Sequence, residues 1–483
     1  MDVDVLVVGA GPTGMALAGE LRLAGAPVLL VDKLARRSAL SKAGGVQSRV
    51  LEVFDQRGLL EPLLATGDHP TGAAHFAGIT LPLTRSRHRH PWRSIPQVVV
   101  EKVLERHLAE HDVHVQREHE LTALTQDAES VTATFAGGAT VRCRYLVAAD
   151  GAHSAVRSLL NADFPGRPGT HTVVAADVRL EGHDTTSTHT RGEDGNWVSV
   201  FPLGVDERGR PLHRLSFGGP GRSLPREHPI TEDEIRDGLR AVLGDRVRLL
   251  DLRYARRITN AARQAANYRH GRVFLAGDAA HVHLPIGAQG MNTGIGDAVN
   301  LGWKLAAAVH GRAPDHLLDT YHAERHPVGA AVLRNVQAQS LLMDQQGAAD
   351  PDLIAARDLF ADLTRLPEVQ HHLDDVLSGM GIRYPMPNAD TDPLIGLPAP
   401  DHDLGPVRSH ELLRSGRGVL LDPTDRFADV AAPWKDRVDR AGEGTTVKPV
   451  LIRPDGYTCW TAGRDDEAHT LEAACRHWFG DPR

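Results

Sequence analysis

Val3-Asp-Val-Leu-Val-Val-Gly-Ala-Gly-Pro-Thr-Gly14 is the stretch whose reading decides the fold. An apolar run opens into Gly9-Ala-Gly11-Pro-Thr-Gly14, a G-x-G-x-x-G turn. Residues 2–8 are too apolar for an edge strand and read as a parallel strand covered on both faces. Leu17, Leu21 and Ala24 then recur at helical spacing, and Gly25 ends the predicted helix. A second strand, Pro27-Val-Leu-Leu-Val31, runs into Asp32. In such a βαβ unit the glycines permit the tight turn, close phosphate approach and helix–strand packing, and the helix start offers amides to a pyrophosphate. Gly9, Gly11, Pro12, Thr13 and Gly14 are therefore candidate nucleotide contacts. Asp32 is placed to accept from a ribose hydroxyl and disfavours a 2′-phosphate. The unit alone does not separate NAD from FAD.

Its counterpart lies far downstream. Arg272-Val-Phe-Leu-Ala-Gly-Asp-Ala-Ala-His281 reads as a strand ending near Asp278, and open parallel sheets meet ligands at strand C-termini. His281-Val-His-Leu-Pro-Ile-Gly-Ala-Gln-Gly-Met-Asn292 leads into a helix reaching about Val309, with Leu301, Leu305 and Ala308 on one face. That helix start would present the Met291 and Asn292 amides to the negative charge of a reduced flavin. The bland alternative is a helix with its own caps and Asp278 as a turn residue. Taken together, the two half-sites fit one long cofactor, FAD, with its ADP end at the first and its flavin end at the second.

The bulk numbers agree. At 483 residues the chain exceeds one ordinary core, so two or three domains are expected. A composition of 41% apolar and 24% charged residues is that of a soluble globular protein, and a net charge of −8 argues against nucleic-acid or anionic-membrane partners. No apolar run is long enough to cross a bilayer, and no secretory signal is read at the start. Cys143, Cys459 and Cys475 form no C-x-x-C pair, so neither a zinc site nor a dithiol motif is expected. The expectation is a cytoplasmic protein without a metal.

Further helices are predicted from Ser48 to Arg57 and from Val99 to His111, and residues 140–149 form a strand ending at Asp150-Gly151. Residues 171–257 shift to short alternating strands, an antiparallel sheet able to wall a substrate. After a helical stretch to about residue 380 and a Pro-rich linker, residues 418–422 and 449–453 are strand candidates. The predicted class is α/β. The predicted division is a discontinuous FAD-binding domain (residues 1–75, 98–170 and 258–345) and a substrate-binding domain (76–97 and 171–257). A helical connection (346–384) and a C-terminal domain (385–483) follow.

The fingerprint, Tyr145-Leu-Val-Ala-Ala-Asp150-Gly-Ala-His-Ser-Ala-Val-Arg157 and Gly277-Asp278, in that order, resemble the FAD-dependent aromatic hydroxylases. These are the group A flavoprotein monooxygenases typified by p-hydroxybenzoate hydroxylase. Gly302-Trp-Lys-Leu-Ala306, Leu318-Asp-Thr-Tyr-His-Ala-Glu-Arg-His-Pro327 and Arg453-Pro-Asp-Gly-Tyr457 look like the branch that tailors aromatic polyketides, angucycline hydroxylases in particular. The resemblance covers essentially the whole chain. It implies a Rossmann-like FAD-binding domain, an inserted antiparallel substrate domain and a thioredoxin-like C-terminal domain. In the last, Cys459 has no partner cysteine, so a structural module is expected, with Asp422 and Arg453 at its surface or interface.

The resemblance also implies roles. Asp32 would hold the adenosine ribose. Lys42 stands where the family has an Arg near flavin and pyrophosphate, keeping the charge but losing the bidentate fork. Gln97 would contact the cofactor, Asp150 would serve FAD and NAD(P)H, and Asp278 would bond the ribityl chain. Pro285, Gly287 and the amides of Gly290, Met291 and Asn292 would line the isoalloxazine. Lys33 is a candidate contact beside Asp32 and equally a solvated surface charge. His281 and His283 invite a general-base reading because imidazole as a class suits that role, yet packing or a satisfied hydrogen bond accounts for both. His283 and Pro285 are kept as candidate flavin-face positions, and no catalytic residue is assigned.

The implied activity is NAD(P)H- and O₂-dependent hydroxylation of an aromatic polyketide in antibiotic biosynthesis, through a flavin C4a-hydroperoxide. NADPH or NADH would be the co-substrate, docking transiently, since no second nucleotide fingerprint is present. The protein would supply positioning, water exclusion and electrostatics. Baeyer–Villiger insertion and antibiotic inactivation use the same scaffold, and no residue separates them. Rivals of another class are a non-catalytic flavin-binding ancillary protein and a Rossmann protein binding NAD alone. A monomer or homodimer is expected.

Overall fold

Four parallel strands bring the candidate residues together: Val3–Val8, Val28–Val31, Thr140–Ala148 and Val273–Leu275. In this computed structural model Val8 is in register with Val31 and Ala148, and Leu275 with Ala148. The strands point the same way, so Gly9, Asp32, Asp150 and Asp278 all emerge at one edge of the sheet. Both faces are covered, which is why Val5, Leu6 and Val7 are wholly buried. Three antiparallel strands, Leu121–Gln126, Val131–Phe135 and Arg269–His270, complete the seven among the described residues. The fingerprint helix, Pro12–Leu23, packs along Gln289–Val309, the helix that follows the Asp278 segment.

The structure describes residues 1–482 except 39–40, 68–74, 82–87, 185–186, 206–207, 344–349 and 464–466. Parts of the predicted 1–75, 76–97, 171–257, 258–345, 346–384 and 385–483 segments therefore lie outside the described residues.

A second sheet is antiparallel, ordered Thr188–Arg191, Trp197–Val205, Pro211–Gly218, Thr172–Glu181, Arg248–Thr259. Side chains alternate across a strand, and the alternation assigns its faces. Val174, Ala176, Val178, Val198, Val200, Leu215 and Phe217 bury against Ile235 and Leu239 of helix Glu232–Leu243. The sequence reading of this stretch as strands missed that helix. Its buried stripe is narrow among many charges, and Thr231 caps it by accepting from the Glu234 amide at 3.2 Å. The other sheet face carries Val173, Ala175, Trp197, Ser199, Phe201 and Ser216 towards the ligand edge of the parallel sheet.

Helices Asp319–Leu342, Pro351–Leu363 and Pro367–Ser378 lead to the C-terminal module. There the order Val438–Ala441, Gly418–Leu421, Val450–Ile452, Thr458–Thr461 combines one parallel pair with antiparallel additions, a thioredoxin-like topology. Asp422, expected at the surface or an interface, is instead buried, its carboxylate accepting from the Arg426 and Phe427 amides at 3.1 and 2.8 Å. Arg453 does lie at an interface: it meets Glu324 at 2.7 Å with no exposed surface. The Arg453–Tyr457 turn seats on helix Ser48–Asp55 and the residues after it, where Arg49 and Arg57 donate to the Asp455 and Pro454 carbonyls.

Candidate functional site

Between the ligand edge of the parallel sheet and the free face of the antiparallel one lies a cavity of about 2110 Å³. On the fingerprint side it is lined by Gly9, Gly11, Pro12, Thr13, Asp32 and Lys33, with Lys42, Gln97 and Asp150 beside them. Further along come Asp278, His283, Pro285, Gly287, Gly290 and Met291. Gly14 and Asn292 stand behind this lining. A Cβ on Gly14 would fall 1.9 Å from the Gly9 carbonyl oxygen, so its role is helix–strand packing. The Asn292 side chain accepts from the Gln47 amide at 2.9 Å and donates to the Gly45 carbonyl at 3.1 Å, tying the Gly45–Gln47 loop to the helix start.

Several features fit these residues to FAD. Among the described residues, neither helix Pro12–Leu23 nor helix Gln289–Val309 has a side-chain cap at its start. Their first-turn amides lack intrahelical partners and favour negative charge, which removes the self-capped alternative for the second helix. A Cβ on Gly11 would meet no atom within 4 Å, which leaves this backbone open to a phosphate. Asp150 Oδ1 is buried without a partner among the described residues, while Oδ2 accepts from the Val156 amide at 3.2 Å. Burial pushes this carboxyl above its usual range, against hydrogen bonds from Ser154 and the Val156 amide. Among the described residues no donor meets the Asp278 carboxylate, which is exposed to the cavity.

Other candidates are committed to shaping the site. Asp32 accepts from the Ala10 and Leu34 amides, each at 2.8 Å, which fixes the fingerprint turn and leaves lone pairs towards the cavity. Gln97 Oε1 accepts from the Lys42 and Ala43 amides at 3.2 Å, and its Nε2 donates to Glu101 at 2.7 Å. Gln97 thus organises the loop carrying Lys42. Arg214 and Arg256 of the antiparallel sheet donate to the Lys42 carbonyl at 3.3 and 3.1 Å, and the exposed Lys42 ammonium reaches the cavity. Lys33 is exposed on the rim.

The two histidines separate. His281 is buried and bonds Asp297 at 2.8 Å, and does not line the cavity. Asp297 also accepts from the Gly277 amide at 3.0 Å and from Arg325 at 2.7 Å. This network braces the turn that carries Asp278, and sequence reasoning missed Asp297 and Arg325. The available signal was the one acid in a predominantly apolar helix, which demands a partner when buried. His283 Nδ1 lies 2.8 Å from the Leu284 carbonyl, so Nδ1 carries the proton and Nε2, buried without a partner among the described residues, is an acceptor. Burial pushes the His283 pKa down.

The donor atoms of Asp55, Asp401 and His410 lie within 4.8 Å of one another. Arg408 already bridges both carboxylates, bonding Asp55 at 2.7 and 2.8 Å and also Asp401, so the cluster is an ion-pair network.

A chamber with two uncapped helix starts and acids beyond three of the parallel strands suits a flavin dinucleotide enzyme. Residues 2–336 match the FAD binding domain family and residues 392–482 the aromatic-ring hydroxylase C-terminal family. The chain is 41% identical over 513 residues to 12-dehydrotetracycline 5-monooxygenase/anhydrotetracycline 6-monooxygenase of Streptomyces rimosus subsp. rimosus, covering 100% of each. It is 39% identical to rifampicin monooxygenase of Streptomyces venezuelae, over 99% of this chain and 98% of that one. The crystal structure of CabE, an aromatic hydroxylase from angucycline biosynthesis, superposes with a TM-score of 0.84 at 34% identity, covering 100% of each chain. The chain belongs to the FAD-dependent aromatic-ring hydroxylases and is an FAD-dependent monooxygenase.

Proposed function

We propose that this protein hydroxylates an aromatic polyketide in antibiotic biosynthesis, using NAD(P)H and O₂. The observation that carries the reading is the size and walls of the chamber. At about 2110 Å³ it is roughly twice the upper end of the ~300–1,000 Å³ usual for one ligand. Beyond the cofactor edge its lining includes Trp197, Phe201, Val173 and Ile258, apolar side chains suited to a flat polycyclic molecule. The names of the tetracycline and angucycline relatives support the same substrate class.

In this reading Gly9, Gly11 and the amides of Pro12–Leu23 hold the pyrophosphate, Asp32 the ribose and Asp278 the ribityl chain. Pro285, Gly287 and the amides of Gly290, Met291 and Asn292 face the ring, with Lys33, Lys42, Gln97 and Asp150 around the dinucleotide. Bound FAD supplies the transfer of reducing equivalents to O₂ and of one oxygen atom to the substrate. The chain's own work is orientation and exclusion of water. The division proposed from sequence is retained: FAD-binding, substrate-binding, connecting and C-terminal segments. The setting is cytoplasmic, as a monomer or homodimer. In support, no described helix is long and apolar enough to cross a membrane, and the three cysteines are free and buried.

The test is consumption of NADPH and NADH by the FAD-loaded protein, with angular and linear aromatic polyketides and rifampicin, and product mass recorded. Substrate-stimulated oxidation giving a product heavier by one oxygen is expected with a polycyclic phenol. Stimulation by rifampicin alone would move the assignment to antibiotic inactivation, and stimulation by none would overturn it.

A further inference from the structure

The antiparallel sheet faces the chamber with mostly apolar or ion-paired side chains, and one rung differs. His189 pairs across strands with Ser199, Ser199 with Ser216, and Ser216 with Ala175. Side chains on one rung point to one face, so this row lies on the chamber floor. Ser199 and Ser216 line the chamber, flanked by Trp197 and Phe201 at the period-two positions of the same strand. His189 sits behind Ser199, its Nδ1 2.6 Å from Ser199 Oγ. The turn of hairpin His75–Thr80 covers that imidazole: a Cβ on Gly78 would lie 2.2 Å from His189 Cδ2.

The same hairpin delivers His75. Its ring stacks on Phe201 at 5.4 Å between centroids, and it lines the chamber. Its Nδ1 is buried with no partner among the described residues. A buried imidazole nitrogen without a partner is costly unless a ligand supplies one. Burial pushes His75 down and His189 down to about 4, so both rings are neutral at neutral pH. Arg191 and Arg357, the nearby cations, donate to the Met343 carbonyl and to the Ala77 and Leu342 carbonyls.

We propose that Ser199, held by His189, and His75 form a neutral hydrogen-bonding subsite in the substrate chamber. It receives a phenolic hydroxyl of a polycyclic aromatic and so sets which ring edge faces the flavin. The ligand class follows from the chemistry: flat apolar walls bind the rings, and uncharged donors and acceptors favour a phenolic hydroxyl, which both donates and accepts. The consequence for regiochemistry rests on the hydroxylase reading above, whereas the binding preference does not.

The test uses the FAD-loaded protein and two probes, 2,6-dihydroxyanthraquinone and unsubstituted anthraquinone, with binding followed by perturbation of the flavin spectrum. The wild type should bind the dihydroxy compound about tenfold more tightly, the effect of one well-made hydrogen bond in a closed site. Ser199→Ala and His75→Phe should each remove most of that preference, with FAD content and anthraquinone binding unchanged. Ser199→Thr keeps the hydroxyl and should keep the preference. His189→Asn, with a hydrogen-bonding atom near the Nδ1 position, should retain what His189→Leu loses. Equal binding of the two probes by the wild type, or a preference that survives both Ser199→Ala and His75→Phe, would overturn the subsite. NAD(P)H oxidation in the same samples reads the hydroxylase assignment separately: preference without oxidation would sink hydroxylation and support the subsite.

Discussion

Arg157 donates to the carbonyl of Ala279 at 2.9 Å, joining two segments 122 positions apart in the chain. Its other terminal nitrogen donates to the Ala152 carbonyl, also at 2.9 Å. One guanidinium therefore clamps the Asp150-Gly151 turn to the turn that carries Asp278. Arg157→Lys keeps the charge but not the fork. It should raise the FAD dissociation constant roughly tenfold, about 1.4 kcal/mol. Titration of apoprotein with FAD, followed by quenching of flavin fluorescence, checks this; unchanged affinity would show that the two turns hold without the clamp.

Gly11 and Gly14 should respond oppositely to alanine. A Cβ on Gly14 collides with the Gly9 carbonyl, whereas one on Gly11, in extended backbone at φ −79°, meets nothing within 4 Å. Gly14→Ala should lower stability by about 2 kcal/mol or more through overpacking. Gly11→Ala should fold with stability within about 0.5 kcal/mol of wild type and bind FAD poorly. Thermal melts of the apoproteins beside FAD titrations distinguish the two. Full FAD affinity in Gly11→Ala would move the pyrophosphate away from this turn.

Asp278 bonds no described donor, so Asp278→Ala removes no contact that holds the fold. The melting temperature of the apoprotein should stay nearly constant while FAD occupancy falls about tenfold or more. Purified holoenzyme at full occupancy would remove Asp278 from the ribityl site.

Acid stability should carry the mark of one buried carboxylate. Glu324 meets Arg453 at 2.7 and 2.9 Å and Lys304 at 2.7 Å, all essentially unexposed. Burial would push this carboxyl up, but Arg453 and Lys304 outweigh it and hold it at about 2, below its ordinary 4.5. As pH falls the unfolded chain takes up the proton first. This contribution to stability is thus complete above about pH 4.5 and is lost progressively towards pH 2. Glu324→Gln should flatten that part of the profile. It should also cost about 3–5 kcal/mol at neutral pH, because two cations stay buried. Urea unfolding at several pH values between 7 and 3 measures both effects, and a variant with the wild-type pH slope would assign the acid lability elsewhere.

The fingerprint, the acids at Asp32, Asp150 and Asp278, and the helix start at Gln289 were legible in the sequence because each has a local signature. Apolar runs, glycine spacing and an acid closing a strand survive in any correct βαβ reading. The helix Glu232–Leu243 was not legible beneath its charged exterior. Asp422, expected at a surface or an interface, is buried on two amide donors that only the folded loop supplies. The loop-holding roles of Gln97 and Asn292, whose side chains tie down Lys42–Ala43 and Gly45–Gln47, have no local signature.

What the sequence by itself determined was the class of cofactor site, since steric and burial rules act over a few neighbouring residues and leave a readable pattern. Only the tertiary structure decided which side chains share the chamber. His75, His189 and Ser199 meet through a hairpin seated on a sheet, and Asn292 reaches Gln47 across 245 positions. Contacts of that kind depend on strand register and loop closure, which no local spacing encodes.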